Sequence, residues 1–340
     1  MTDPISLTGA PGSPYTRKML AVLRYRHIAY RLLPPSGPAL DQLPKAKVPL
    51  LPTFFLPDEA GALQAVTDST PIIRRLEREY AGRSIIPTEP GLAFLNELIE
   101  DYADEWLTKA MFHYRWSYEP DIAKATAMLP CWRGFSIPDA ELKARGAAVA
   151  ERQIGRLRYV GSNAVTGPVI EASYRRFLEA FEAHLTGQPY LLGHRPASCD
   201  FAVFGQLTQL AEFDPTPMAL TLKVAPRVTA WVGMMEDQSG VEPGDGDWDT
   251  VAKLPATLSA VLAEIGRVYP PVMLANARAV ADGAADVTAE VDGQVWTQQP
   301  FPYQAKCLGW LRQSRADLAP AARAQVDAVL GSTGLAPLFA

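Results

Sequence analysis

Residues 12–18, Gly-Ser-Pro-Tyr-Thr-Arg-Lys, lie between a predicted strand and a predicted helix and contain the side chain best placed for chemistry. Ser13 falls at the N-terminus of that helix, where unpaired backbone N–H groups and the helix dipole favour an anion. Its hydroxyl can donate a hydrogen bond to a thiolate and so lower the pKa of a bound thiol from its ordinary value of about 8.5. Serine is also a common helix N-cap, so a purely structural cap is the alternative role for Ser13.

Two further segments are suited to holding an extended, peptide-like ligand. Residues 47–49, Lys-Val-Pro, precede a predicted strand, where a cis proline would leave the N–H and C=O of Val48 free to pair with a peptide. Asp68 and Ser69 directly precede a helix opened by Pro71. That position places a side chain and backbone N–H groups where an α-carboxylate could bind.

The strand and helix pattern predicts the elements that carry these segments. In the N-terminal part it predicts strands at 5–7, 28–33, 50–56 and 62–66, with helices at 18–26 and from Pro71 onward. The order β-α-β, then β-β-α, is typical of a small thioredoxin-like unit. From residue 92 to about residue 235 the apolar period is helical, with helices predicted at 92–118, 151–159, 171–185, 201–210 and 227–235.

The C-terminal part follows an acidic, glycine-containing linker at 240–249. It is predicted to hold helices at 251–265, 272–280, 303–312 and 321–330, and a hairpin with strands at 287–291 and 294–298 joined by Asp292-Gly293. We therefore predict an α+β fold in three parts. These are a thioredoxin-like domain at 4–82, an all-helical domain at 90–238, and a helical and β-hairpin extension at 250–340 that packs on the helical domain.

Composition and charge narrow the possible partners. The chain has 340 residues and a formal net charge of −5 without a basic stripe, so we expect neither a nucleic acid nor a membrane as partner. The N-terminus lacks a cationic and apolar leader, and the most apolar stretch, 48–56, is interrupted by prolines and is far shorter than the roughly 18 residues of a membrane span. A cytoplasmic location is therefore expected. The cysteines Cys131, Cys199 and Cys307 form no CxxC pair, so neither a disulfide framework nor a metal site is predicted.

The long helix predicted at 92–118 should form a wall of the cleft between the first two domains, where a second ligand would bind. Four acidic residues recur on one face of it at helical spacing, namely Glu97, Asp101, Asp104 and Glu105. A solvated or interface stripe is the expected role of this face, and a metal site is the alternative. Further along, His113 and Arg115 could orient a ligand, although a surface or core-edge position is the simpler expectation for each.

The C-terminal extension is predicted to dock, because its hairpin and helices are too short to be stable alone. Its aromatic residues, Trp296, Phe301, Tyr303 and Trp310, are expected to form a small core. The linker is long enough for the extension to return toward the cleft. We expect it to cover the pocket of the second ligand, with Trp296 or Tyr303 nearest the mouth.

One more segment completes a recognisable order of motifs. Residues 191–196, Leu-Leu-Gly-His-Arg-Pro, lead into Asp200, which opens a buried helix. In this order and spacing, the four segments resemble the glutathione S-transferase superfamily, and specifically its bacterial-type serine members, over about residues 6–235. The resemblance implies a homodimer that uses glutathione as co-substrate and adds its thiolate to a small hydrophobic electrophile, as in detoxification.

The same resemblance assigns roles to individual residues. Ser13 would activate the thiol of glutathione. Val48, beside a cis Pro49, would hold the cysteinyl part of glutathione through its backbone. Asp68 and Ser69 would hold the γ-glutamyl end, and Lys47 would reach the glycyl carboxylate.

Several alternatives stay open. Tyr15 is the other candidate for thiol activation, since some members of the superfamily use a tyrosine. The same site could instead cleave an ether or remove a halide with glutathione, and the fold could serve as a non-catalytic binding or assembly module. Residues 13–16 also resemble a glutaredoxin Cys-Pro-Tyr-Cys motif with both sulfurs replaced by oxygen, so disulfide reduction, which needs a protein thiolate, is not expected. The superfamily's helix-capping Ser or Thr aligns with Ala197, which leaves Ser198 or Asp200 alone to cap.

Overall fold

The N-terminal domain is built on a four-stranded sheet. A computed structural model describes residues 4–244 and 246–340; Met1–Asp3, on which the expectation about a leader falls, and Asp245 of the predicted linker lie outside the described residues. Its elements are β1 (Ile5–Thr8), α1 (Pro14–Tyr25), β2 (Tyr30–Leu33), α2 (Pro38–Asp41), β3 (Thr53–Pro57), β4 (Leu63–Val66) and α3 (Ser69–Glu79). The strands are ordered β2-β1-β3-β4, with β1 parallel to β2 and antiparallel to β3, and β3 antiparallel to β4.

The register of the sheet places its central strands in the core. Leu7 of β1 pairs with Leu32 of β2 and with Phe54 of β3. Leu7 and Phe54 are fully buried, so the apolar residues of β1 and β3 lie in the core of the domain. The predicted α+β fold with a thioredoxin-like first unit is confirmed.

The second part is all-helical and is crossed by one long helix. Residues 90–117 form a continuous helix: α4 (Pro90–Tyr102), a π-helical turn (Ala103–Leu107) and α5 (Thr108–Ser117). The remaining elements are α6 (Glu119–Cys131), α7 (Asp139–Ile154), a 3₁₀ turn (Leu157–Tyr159), α8 (Gly167–His184), α9 (Ser198–Leu207), a second π-helical turn (Thr208–Phe213), α10 (Pro215–Val224) and α11 (Pro226–Met235). The sequence pattern misses α6, α10 and most of α7, of which only the last turn falls in the helix predicted at 151–159. These helices bury few side chains: α10 buries only Pro217 and Thr221, and α7 only Gly146 and Ala150.

Asp200 caps α9 without the help of a neighbouring hydroxyl. Its carboxylate accepts hydrogen bonds from the backbone N–H groups of Ala197, at 2.9 Å, and Leu191, at 2.8 Å. Ser198 is occupied elsewhere, since its hydroxyl donates to Glu100 Oε2 at 2.5 Å. Of the two capping arrangements the sequence allows, the structure therefore has Asp200 alone.

The C-terminal extension comprises a 3₁₀ turn (Val251–Lys253), α12 (Ala256–Asp282), β5 (Val287–Val291), β6 (Gln294–Gln298), α13 (Pro302–Ala316), α14 (Pro320–Ser332) and a final 3₁₀ turn (Ala336–Phe339). It packs on the helical domain, with α12 against α8 and with α13 and α14 against α4. The residues before it are also docked: the Asp249 N–H donates to Leu192 O at 2.9 Å, and the His194 N–H donates to Asp247 O at 2.7 Å.

The helix α12 differs from the prediction of two helices at 251–265 and 272–280. It continues through Pro270 and Pro271, each of which removes a backbone hydrogen bond. The helix is packed on both sides of the prolines, with Ile265 and Val272 both fully buried. Tertiary packing therefore overrides the local preference of proline.

The same helix corrects the expectation that no apolar stretch is long enough to span a membrane. By length and composition alone, α12 would qualify, with a mean hydropathy of 1.2 over 18 residues. However, 61% of that window is buried inside the protein. A core helix shows this combination of composition and burial.

The packing of Trp296 gives a test of whether the extension and the helical domain unfold together. Trp296 is fully buried, and its ring lies 5.3 Å from that of Trp106 in the π-helical turn. We expect Trp296→Ala to lower the free energy of unfolding by about 3–5 kcal/mol, because it leaves a large cavity between the two parts. Urea unfolding would measure the change, and Val295→Ala, at a neighbouring residue 58% exposed, is the matched control. Separate melting of the extension with the rest unaffected would contradict this prediction.

Candidate functional site

Ser13 is the N-cap of α1, and its hydroxyl both accepts and donates a hydrogen bond. Ser13 Oγ accepts the N–H of Thr16 at 3.2 Å and donates to the carbonyl oxygen of Leu51 at 3.1 Å. Leu51 lies two residues before the first residue of β3. The Ser13 hydroxyl therefore lies where the N-terminus of α1 meets the start of β3, a position in which an anion is favoured by the free N–H groups of the helix.

Tyr15 points away from Ser13. Its hydroxyl donates to the backbone oxygen of Asp104 at 2.8 Å. Burial, followed by the negative charges of Asp104 and Glu105, raises the pKa of Tyr15 well above its usual value. The raised pKa keeps the Tyr15 hydroxyl protonated, and its hydrogen bond to the Asp104 carbonyl already uses that proton.

A cavity of about 590 Å³ opens beside Ser13, and we call it the Ser13 cavity. Its walls come from residues 10–14, from Pro35 and Leu51, and from α5, α6 and α7 with the loop between the last two. The apolar part of the lining includes Met111, Phe112, Trp116, Leu129, Trp132 and Val149. Such a cavity suits an apolar or aromatic ligand of small-molecule size.

Arg115 fixes the loop that carries Ser13. The buried guanidinium donates to the carbonyl of Gly12 at 2.9 Å and is held by Asp214 and by Gln209 Oε1. Gly12 is close-packed, since a Cβ there would lie 2.5 Å from Trp132. Arg115 therefore positions the loop while lining the cavity, whereas His113 bonds to Ser162 and Glu171 and does not line it.

The predicted cis peptide bond at Pro49 is wrong. The cis bond joins Leu51 and Pro52, while Val48 and Leu50 are both 53% exposed and the Leu50 N–H turns back to Val48 O. Val48 still lines a second cavity, but neither Lys47 nor Pro49 is among the lining residues of either cavity described here. The residue whose backbone faces Ser13 is Leu51, which lines both cavities.

That second cavity, of about 810 Å³, contains Asp68 and Ser69 and is called the Asp68 cavity. Asp68 has φ of +86°, an unusual backbone conformation for a residue with a side chain, and such conformations concentrate at ligand sites. Its Oδ2 accepts the hydroxyl of Tyr303 at 2.5 Å. Ser69 begins α3 and is 7% exposed.

A buried lysine ties this region together. Lys18 Nζ donates to Asp104 Oδ2 at 2.6 Å, to Glu100 Oε1 at 2.8 Å and to Ser69 Oγ at 3.1 Å. Burial lowers the pKa of Lys18, but the charges of Asp104 and Glu100 outweigh it and the net shift is upward. Lys18 is therefore a buried cation whose hydrogen bond fixes the position of the Ser69 hydroxyl.

The acidic face of the long helix is not the solvated stripe predicted from its spacing. Asp104 and Glu105 are only 8% and 7% exposed, and all four predicted residues line the Asp68 cavity. Burial raises the pKa of Asp101 to about 7 and that of Asp104 to about 6. The π-helical turn places Asp104 and Glu105 side by side on the cavity wall. Within residues 4–244 and 246–340, no group of three or more His, Cys, Asp and Glu residues is arranged to hold a metal ion.

The extension covers the Asp68 cavity and not the Ser13 cavity, which corrects the expected position of the lid. Tyr303 and Trp310 line the Asp68 cavity, as does Phe301, whereas Trp296 lies in the core. The described lining of the Ser13 cavity ends at Gln153 and includes no residue of the extension. Sequence reasoning therefore identified Tyr303 as a cavity residue, and the cavity that it lines is the one that contains Asp68.

Leu51, Lys18 and Lys109 line or support the site without having been singled out from the sequence. Lys109 is 2% exposed, and burial lowers its pKa to about 8. The signal that was available was helical spacing: Lys109 follows Glu105 by four residues and so lies on the same face of the long helix.

Two family matches agree with this architecture. The family described as Glutathione S-transferase, N-terminal domain matches residues 7–84, and the family described as Glutathione S-transferase, C-terminal domain matches residues 171–238. The chain belongs to the glutathione S-transferase superfamily. Neither match includes the extension.

Solved structures similar to this chain are distant. One is a glutathione transferase family member from Pseudomonas fluorescens with two glutathione bound, at 15% identity and a TM-score of 0.42, covering 76% of this chain and 92% of the other. Another is a glutathione S-transferase from Methylobacterium radiotolerans in complex with glutathione sulfonate, at 18% identity and a TM-score of 0.40, covering 73% of this chain and 99% of the other. No curated protein sequence matches the chain.

The raised pKa of Asp101 predicts how stability depends on pH. Because its folded pKa of about 7 exceeds the ordinary 3.8, the folded state binds more protons than the unfolded state between these values. Its contribution to stability is therefore complete below about pH 4 and is lost as the pH rises through about 7. We expect Asp101→Asn to reduce the loss of stability between about pH 5 and pH 8, by up to about 1.4 kcal/mol per pH unit.

Urea unfolding across this pH range measures the effect. The Tyr269 hydroxyl donates a hydrogen bond to the Asp101 carboxylate. The side-chain oxygen of an asparagine at residue 101 can accept the same hydrogen bond. Asp286→Asn, at an exposed aspartate, is the control and should leave the pH dependence unchanged. An unchanged slope in Asp101→Asn would show that this carboxyl titrates normally.

Proposed function

We propose that this protein is a glutathione transferase that uses Ser13 to activate the thiol of glutathione and adds the thiolate to a small apolar electrophile. The observation that carries the proposal is that Ser13 lines one cavity and is hydrogen-bonded to a residue that lines a second cavity as well. The Asp68 cavity offers polar groups for a peptide, and the Ser13 cavity offers an apolar wall for a second substrate. Leu51, the hydrogen-bond partner of Ser13, lines both.

Glutathione would lie across this boundary. Asp68 and Ser69 would bind its γ-glutamyl end, and the backbone of Leu51, rather than that of Val48, would pair with its cysteinyl residue. Lys47 and Pro49 are exposed and line neither cavity in the part of the chain that the structure describes, which leaves them without a defined role. Membership of the superfamily supports glutathione as the co-substrate.

Binding would change the partner of the Ser13 hydroxyl. In the structure this hydroxyl donates to Leu51 O. A cysteinyl N–H that pairs with the same carbonyl would release the Ser13 proton to donate to the sulfur. The thiolate is then stabilised by a hydroxyl donor and by the N-terminal end of α1, and both lower the pKa of the thiol.

In the proposed reaction water takes the proton of the thiol, and no protein side chain forms a bond to the substrate. The thiol loses its proton to water, and the sulfur electron pair forms a C–S bond with the electrophile. In a substitution the bond to the leaving group breaks and that group departs with its electron pair. In an addition the π bond breaks, and the resulting carbanion takes a proton from water. The homodimer and the cytoplasmic location stay predictions.

Removal of the Ser13 hydroxyl tests the proposed activation. A hydrogen bond to a charged group contributes about 1.5–3 kcal/mol, so Ser13→Ala should raise the pKa of bound glutathione by about one to two units. Activity at neutral pH should fall roughly 10- to 100-fold, while glutathione affinity changes little. Ultraviolet titration of the bound thiolate measures the pKa directly. Ser13→Thr, which keeps a hydroxyl, is the matched control.

The alternative activator has its own outcome. If Ser13→Ala leaves the thiol titration unchanged and Tyr15→Phe abolishes activity, Tyr15 takes the role. If neither the wild-type protein nor any variant binds or ionises glutathione, the chain is a non-catalytic member of the superfamily.

Tyr303 provides a test of the glutathione half of the site. Its hydroxyl orients Asp68 through a 2.5 Å hydrogen bond, and the second carboxylate oxygen stays available to the ammonium of the γ-glutamyl end. Tyr303→Phe should raise the KM for glutathione about fivefold, equivalent to roughly 1 kcal/mol, with kcat and the KM for the electrophile nearly unchanged. Steady-state kinetics with each substrate varied in turn measures this. A lower KM for glutathione would show instead that Tyr303 competes for Asp68.

A further inference from the structure

The two cavities differ sharply in charge, although they share a wall. Carboxylates of Asp68, Glu97, Glu100, Asp101, Asp104 and Glu105 line the Asp68 cavity. The described lining of the Ser13 cavity contains no Asp or Glu and has four arginines, Arg115, Arg133, Arg145 and Arg152. This is a local excess of positive charge in a chain whose net charge is −5. An anion is therefore favoured on the Ser13 side of the site.

The arginines are not equivalent. Arg115 is committed to Asp214 and to the Gly12 carbonyl, and Arg145 is paired with Glu141 at 2.5 Å. Arg133 and Arg152 are exposed, and within residues 4–244 and 246–340 neither guanidinium has a carboxylate within 4.0 Å. Arg145 and Arg152 lie two turns apart on one face of α7, and Arg133 follows α6 across the cavity mouth.

Aromatic side chains lie below this basic rim. Phe112 and Trp116 on α5 line the Ser13 cavity, as does Trp132 beside Gly12. A ligand that matches both features has an apolar or aromatic body and a carboxylate, sulfonate or phosphate at its outer end. Guanidinium groups match such oxyanions in geometry as well as charge.

We infer that the second substrate is an apolar electrophile that carries an oxyanion, which Arg133 and Arg152 bind at the mouth of the Ser13 cavity. The reaction assigned to this substrate rests on the proposed function, whereas the binding of its oxyanion does not. The body of the substrate lies against the aromatic floor with its reactive carbon toward Ser13. The oxyanion takes no part in forming the C–S bond.

The experiment compares two electrophiles that differ in charge alone, chlorodinitrobenzoate and chlorodinitrobenzamide. Each enzymatic rate is divided by the uncatalysed rate with glutathione at the same pH, which removes the difference in intrinsic reactivity. We expect a lower KM for the benzoate. Arg133→Gln and Arg152→Gln should each raise that KM about fivefold and leave the amide unaffected, because each removes an ion pair of roughly 1 kcal/mol. The preference should also decline at high salt.

Lys143→Gln is the matched control, since it removes one exposed positive charge from α7 at a residue outside the cavity lining. Equal KM values for the two electrophiles in the wild-type protein would overturn the inference. So would a rise in the KM for glutathione in the arginine variants that is the same with either electrophile, since the arginines would then bind the glycyl carboxylate of glutathione.

Calorimetric titration with unreactive dinitrobenzoate and dinitrobenzamide separates this inference from the proposed function. Tighter binding of the benzoate, weakened in the arginine variants, supports the anion site even in a protein that conjugates nothing. Equal binding of both compounds overturns the anion site, whether or not the protein is an active transferase.

Discussion

The buried ammonium of Lys18 is the interaction on which the site depends. Lys18 is a residue of α1. Its ammonium donates hydrogen bonds to Ser69 of α3 and to Glu100 and Asp104 of the long helix, so it links these three helices. A cation taken out of water needs such partners, because the cost of an unpaired buried charge is several kcal/mol. The same three contacts fix the start of α1, the start of α3 and the π-helical turn relative to one another. Those are the elements that carry Ser13, Asp68 and the acidic wall of the Asp68 cavity.

The long helix then separates two environments. Its π-helical turn, with Asp104 and Glu105, faces the Asp68 cavity, whereas Met111 and Trp116 of α5 face the Ser13 cavity and Phe112 lines both. A π-helical turn inserts a residue and changes which side chains share a face, and such turns recur at functional sites. One continuous helix thus provides an acidic wall for the Asp68 cavity and an aromatic wall for the Ser13 cavity.

Local signals in the sequence were sufficient for the fold but not for the path of the loop before β3. The strand order, the Asp292-Gly293 hairpin and the positions of Ser13, Asp68 and Ser69 follow from turn residues and apolar periods, as do most of the helices other than α6, α7 and α10. Val48-Pro49 and Leu51-Pro52 are equivalent on those grounds, since each places a proline after an apolar residue near the start of a strand. Which pair meets Ser13 is decided by how residues 34–52 cross the molecule. Likewise, the acidic face of the long helix has the spacing of a solvated stripe, but tertiary contacts cover it. Lys18 of the N-terminal domain contacts Asp104, and Tyr269 of the extension contacts Asp101.

The extension is required by the apolar character of α4. Gly91, Leu92 and Phe94 are buried as well as Leu95, Leu98 and Ile99, so this helix is apolar around most of its circumference. A helix of that kind needs cover on more than one side. The sheet domain and α9 supply part of it, and α13 and α14 supply the rest, with Phe339 packed edge-on against Phe94 at 5.6 Å. Because α13 also carries Tyr303, the segment that completes the core is the segment that reaches Asp68. Stability and the geometry of the Asp68 cavity are therefore coupled in this chain through a region that neither family match includes.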